Sequence, residues 1–205
     1  MQLPKVRFHI LLIAGGLTLG VSACSKSVQV RGEFPTPLVE ALPLRAGLYY
    51  DETFKNHTHE EVSEDRDKWV IATGNSQVAL FDSLARGLFK NTETVDSVSD
   101  SSHDHIDIIL SPAIEALQFS MPRETKVNVF EVWIKYNVRV HTGDGALLVE
   151  WPLAAYGKTP TAFLRSKNDA LNLAVRAALR DAGANFTRGF AKIPEVREWI
   201  ESEKK

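Results

Sequence analysis

The chain has 205 residues, with 24 Lys and Arg against 26 Asp and Glu, for a formal net charge of −2. That length suits one well-cored domain rather than two, and a balanced charge without a long basic cluster argues against a nucleic-acid partner. A single cysteine excludes a disulfide framework, so the fold must rest on its apolar core.

The N-terminus divides into three parts. Lys5 and Arg7 give a positive start, residues 10–21 form an apolar run of 12, and Val21-Ser22-Ala23 lead into Cys24, the only cysteine. The run is too short to cross a hydrocarbon core, which needs roughly 20 residues. Charge, apolar run and small residues before a cysteine resemble a bacterial lipoprotein signal peptide with its lipobox. Val21 stands where that pattern favours Leu. The resemblance implies cleavage before Cys24, a diacylglycerol on its thiol and an acyl group on the new amine. The membrane is then a partner through covalent lipid on Cys24, each buried methylene adding about 0.8 kcal/mol. The family's sorting pattern retains lipoproteins with Asp after the cysteine in the inner membrane. Ser25 therefore implies a periplasm-facing place on the outer membrane, with the inner membrane as the alternative. Loss of residues 1–23 removes Lys5, Arg7 and no acid, which takes the net charge from −2 to −4.

Residues 24–43 read as the lipidated cysteine and a flexible tether, since Gly32, Pro35, Pro37 and Pro43 disfavour helix. Residues 44–205 then form a single domain. A first strand is expected over 45–54, a polar loop over 55–68 and a short strand over 69–72. Val78, Phe81, Leu84, Ala85, Leu88 and Phe89 fall at helical spacing and predict a helix over 76–89, capped by Asn75 or Ser76. A short strand is expected around 95–98, before an exposed loop. Residues 106–119 are strand-like, with Pro112 marking a bulge or an edge.

The strand expected over 128–141 alternates cleanly. Val132, Ile134, Tyr136, Val138 and Val140 share one phase; Glu131, Trp133, Lys135, Asn137, Arg139 and His141 share the other. Thr142-Gly143-Asp144-Gly145 signals a hairpin, and 146–156 returns with Leu147, Val149, Trp151 and Leu153 on one face. A helix over 166–186 follows from Ser166 with Asp169 as a capping box and from the stripe Leu171, Ala174, Val175, Ala178, Leu179, Ala182 and Phe186. A short helix over 194–203 opens on Pro194.

This order predicts an α+β fold: a largely antiparallel sheet with two main helices packed on one face. The order alone also resembles small periplasmic domains of envelope lipoproteins. Examples are the lipopolysaccharide-assembly lipoprotein, the auxiliary lipoproteins of ABC transporters and the N-terminal domain of the Tol translocation protein. No functional residue is carried over from that likeness.

His57 with His59, and His103 with His105, are the clustered metal-capable side chains. A zinc site would need them to converge, and neither pair has a recognised ligand spacing, so no metal or other cofactor is expected. Asp144 between two glycines is read as turn chemistry. Ser101 and Ser102 beside His103 lack any nucleophile setting, and no phosphate-binding or dinucleotide fingerprint is present. The expectation is therefore a non-enzymatic lipoprotein serving envelope assembly or transport as an accessory subunit, with an envelope protein as partner. Its contact surface is expected on the polar-phase face around Trp133, with Glu131, Lys135 and Arg139, because Trp and Arg are enriched in binding hot spots. The rivals are a lipid- or glycan-binding module with a pocket between sheet and helices, and a metal-dependent enzyme built on the four histidines.

Overall fold

The computed structural model describes residues 25–62, 68–99, 105–125, 128–161 and 166–203. Cys24 and His103 lie outside them. The strands are β1 (Ser25–Gln29), β2 (Leu42–Leu48), β3 (Thr58–Val62), β4 (Lys68–Ala72), β5 (Phe89–Thr94), β6 (Ile108–Ser120), β7 (Val129–Thr142) and β8 (Leu147–Pro160). The helices are α1 (Glu52–Lys55), α2 (Gly74–Leu88), α3 (Pro122–Thr125), α4 (Lys167–Gly189) and α5 (Pro194–Glu203). A five-stranded sheet runs β5-β2-β6-β7-β8, and a three-stranded sheet runs β1-β4-β3. β2 pairs in parallel with both of its neighbours, whereas β6, β7 and β8 form an antiparallel meander.

The main core lies between the larger sheet and α2 and α4. Val132, Tyr136, Val138 and Val140 of β7 are fully buried, and so is the whole predicted stripe of α4 from Leu171 to Phe186. Aromatic rings tie the layers together. Phe81 of α2 meets Tyr136 at 5.6 Å and Phe186 at 5.8 Å, and Phe186 stacks on Phe190 at 5.3 Å. Ser166 caps α4 as expected, its hydroxyl accepting from the Asp169 amide at 3.1 Å. α5 spans the expected residues, with Val196 fully buried.

Several local expectations are corrected. The tether is not loose at its start, because Ser25–Gln29 pairs in parallel with Lys68–Ala72 and buries Val28. The polar stretch 55–68 contains β3, which owes its place to the β4 ladder rather than to an apolar pattern. Strand β5 comes earlier than Val95, which instead packs with Ile106 and Ile109 on the sheet's outer face. α2 begins after Thr73 without a side-chain cap, and Ser76 donates to the Val30 carbonyl at 2.7 Å instead. Pro112 sits at an edge: Leu110 bonds the β2 side through its carbonyl, so the missing N–H of Pro112 falls on that side, past the last β2 pair. Finally, a bulge at Leu148 turns Leu147 onto the outer face, where it is exposed.

Candidate functional site

Among the described residues, no element covers one face of β6, β7 and β8 over much of its length. At the β5 end this outer face is sealed by Val95, Ile106 and Ile109, with Tyr49 and Val98 against them. Beyond that cluster the surface is mostly polar, apart from the exposed Leu147 opposite His141 and the region of Trp133, which is 41 % exposed. Gln118 on β6 and Tyr156 on β8 lie directly opposite Trp133 in the ladder. The Trp133 and Tyr156 ring centroids are 5.4 Å apart with planes tilted by 42°, a cross-strand aromatic pair of the stabilising kind. The Tyr156 hydroxyl donates to Glu131, and that bond raises the phenol's pKa above its ordinary value.

The charges expected around Trp133 are all on this face, and they are paired laterally. Lys135 reaches Glu115 at 2.6 Å, and the Arg139 guanidinium donates to Glu150 at 2.9 Å. Arg139, followed by Asn137, holds the Glu150 carboxyl below its usual range. Exposed pairs of this kind contribute little net free energy. They leave the two rings as the exposed aromatic surface of the face, set in a frame of fixed charge. Sequence reasoning placed Trp133 here but missed Tyr156, which the ladder delivers to it.

The edge of this surface is closed against further strand pairing. β8 is the last strand of the sheet, yet its Tyr156 amide donates to Asp181 of α4 at 3.0 Å, and Asn185 donates to the Ala154 carbonyl at 3.2 Å. Side chains of the covering helix thus take up edge groups that would otherwise template another strand.

The described histidines His57, His59 and His105 do not gather, and His103 lies outside the described residues. His57 hydrogen-bonds Thr73 at 2.7 Å, and burial lowers its pKa. His59 bonds Glu61 at 2.9 Å and stands edge-on to Phe119, while His105 bonds Glu93 of β5 at 2.8 Å. Among the described residues, no three His, Cys, Asp or Glu side chains form a group able to hold a metal. The Asp144 turn is built as read: Gly145 has φ of +88°, and Thr142 closes the hairpin onto Ala146 at 2.9 Å.

A second feature has no counterpart in the sequence reading. Residues 34–39 run along α2 and α4 and leave a groove of ≈ 420 Å³ with apolar walls, on the side of the helices away from the sheet core. The buried side chains of the main core lie between sheet and helices, where a ligand pocket was one expectation. Among the described residues no helix is long and apolar enough to cross a membrane.

No protein-family model and no curated protein matches the sequence. Among solved structures, a Xanthomonas campestris protein of family DUF330 superposes with a TM-score of 0.53 at 10 % identity, covering 88 % of this chain and 99 % of that one. An uncharacterised lipoprotein B from Nitrosomonas europaea gives 0.45 at 13 % identity, over 82 % and 93 % of the two chains. A minor lipoprotein from Acinetobacter baumannii gives 0.44 at 10 % identity, over 75 % and 94 %. The chain therefore shares its overall fold with the DUF330 protein.

Proposed function

We propose that this chain is a lipid-anchored envelope protein without a catalytic role, which docks a protein partner on the open face of β6, β7 and β8 as an accessory subunit of an assembly or transport system. The observation that carries the reading is the Trp133–Tyr156 pair, exposed on a sheet face whose other side is packed against helices. Large aromatic side chains ringed by polar groups are the usual anchors of protein interfaces. The laterally paired Lys135 and Arg139 steer approach and fix register more than they add affinity.

The anchor rests on the lipobox that ends at Cys24. Because β1 starts at Ser25, acylation of Cys24 would seat the smaller sheet at the bilayer surface rather than at the end of a long tether. The names of the Nitrosomonas and Acinetobacter proteins accord with a lipoprotein. The proposed outer-membrane placement rests on Ser25 alone, with the inner membrane as the alternative.

The experiment has two arms. Radiolabelled palmitate should enter the wild-type chain and not Cys24→Ser; label persisting in the variant removes the anchor. Co-purification from detergent-solubilised envelope should yield a partner with the wild type and lose it with Trp133→Ala at unchanged thermal stability. A large stability loss would make Trp133 a core residue and end the docking proposal.

A further inference from the structure

The groove beside residues 34–39 is separate from the open sheet face, and its chemistry differs. Its volume of ≈ 420 Å³ falls within the about 300–1,000 Å³ of ligand pockets. Phe34, Leu38 and Val39 form one wall, and Leu80 and Leu84 of α2 form another. Leu38 is entirely exposed and Val39 half-exposed, so these side chains project beside the groove without covering it. The wall is fixed in place: Ser83 donates to the Phe34 carbonyl at 2.7 Å. Pro37 stands so close over Gly87 that a Cβ there would come within 2.6 Å of the proline ring.

The ionisable lining consists of Arg180 and Arg188 of α4; no acidic side chain lines the groove among the described residues. Arg188 already donates to Asn185 at 2.7 Å. Arg180 is exposed, with no ion pair among the described residues. The third polar side chain, Thr187, spends its hydroxyl on the Gly183 carbonyl at 2.8 Å. A peptide laid here would bury backbone N–H and C=O groups without partners, at a cost of several kcal/mol. A methylene chain has nothing to satisfy, and a guanidinium at one end matches a carboxylate bidentately.

We infer that this groove binds a long-chain fatty acid, with its hydrocarbon between Leu38 and Leu84 and its carboxylate on Arg180. The site is independent of partner docking on the sheet, so either can fail without the other.

The test uses the full chain in neutral phosphatidylcholine vesicles and palmitate carrying a diazirine near its methyl end. After irradiation, label should concentrate on peptides containing residues 34–39 and 80–84. Ala184→Trp, which fills the groove from an exposed position, should reduce that label about tenfold. Arg180→Gln, at an exposed residue where folding is not at stake, should weaken palmitate labelling about tenfold and leave a hexadecanol analogue unchanged. Label spread evenly over the surface, groove label unchanged in Ala184→Trp, or equal behaviour of palmitate and hexadecanol in both the wild type and Arg180→Gln would overturn the inference. So would an adduct joining two copies through residues 34–39, which would make the groove a self-association surface.

Discussion

Gly157 of β8 lies directly beneath Ala178 of α4: a Cβ on Gly157 would stand 2.2 Å from the Ala178 amide nitrogen and equally close to the Ala174 carbonyl oxygen. Gly157 pairs with Val132 of β7, so this contact sets how closely α4 approaches this part of the sheet. The same approach lets Asp181 and Asn185, about one and two turns further on, reach the edge of β8. Spacing between helix and sheet, and closure of the sheet edge, thus follow from one missing side chain.

Gly157→Ala should be strongly destabilising, since the obstruction is backbone and cannot rotate away. A loss of about 3 kcal/mol, at the upper end of overpacking costs, is expected in a urea titration. A midpoint equal to the wild type would mean that α4 does not pack here.

Leu179→Ala tests the same layer from the helix. Leu179 is fully buried in the stripe that covers the sheet. The substitution should cost about 2–5 kcal/mol, depending on how far the cavity collapses. A negligible change in the denaturation midpoint would make the helix peripheral.

The long elements were legible because their periodicity was decisive. β7 alternates without a break, and the α4 stripe runs seven residues with a capping Ser166; the structure has both. What escaped reading depended on partners. β1 and β3 are polar five-residue strands with no strong pattern of their own, held by the central β4. The Trp133–Tyr156 pair was hidden by the bulge at Leu148. Continuing the His141–Leu147 pairing unbulged would set Ala155 opposite Trp133, and only the extra residue brings Tyr156 there. The groove escaped because one of its walls is the Pro-containing stretch 34–39, whose composition speaks for a tether.

The stability should depend on pH through Asp107. Its carboxylate accepts from the Arg45 guanidinium at 2.7 Å and from the Arg45 amide at 2.7 Å, joining the start of β6 to β2. The Arg45 hydrogen bond is the main cause holding the Asp107 carboxyl below its ordinary range. A depressed carboxyl stabilises the fold above its unfolded value, about 3.9, and that contribution disappears as the pH falls through the lower folded value. Asp107→Asn should therefore be less stable than the wild type at neutral pH, with the gap closing under acid. Thermal midpoints measured between pH 7 and pH 2 check this; a gap that stays constant would remove the ion pair as its cause.

Partner docking at Trp133 is tested most directly by placing a photoreactive phenylalanine analogue at position 133 in living cells and irradiating the intact envelope. Trp133 is 41 % exposed, so the substituted protein should keep its stability to within about 1 kcal/mol. A discrete adduct with one envelope protein is expected from position 133, and none when the analogue replaces the exposed Glu198 of α5. No adduct at position 133, or the same adducts from both positions, would contradict it.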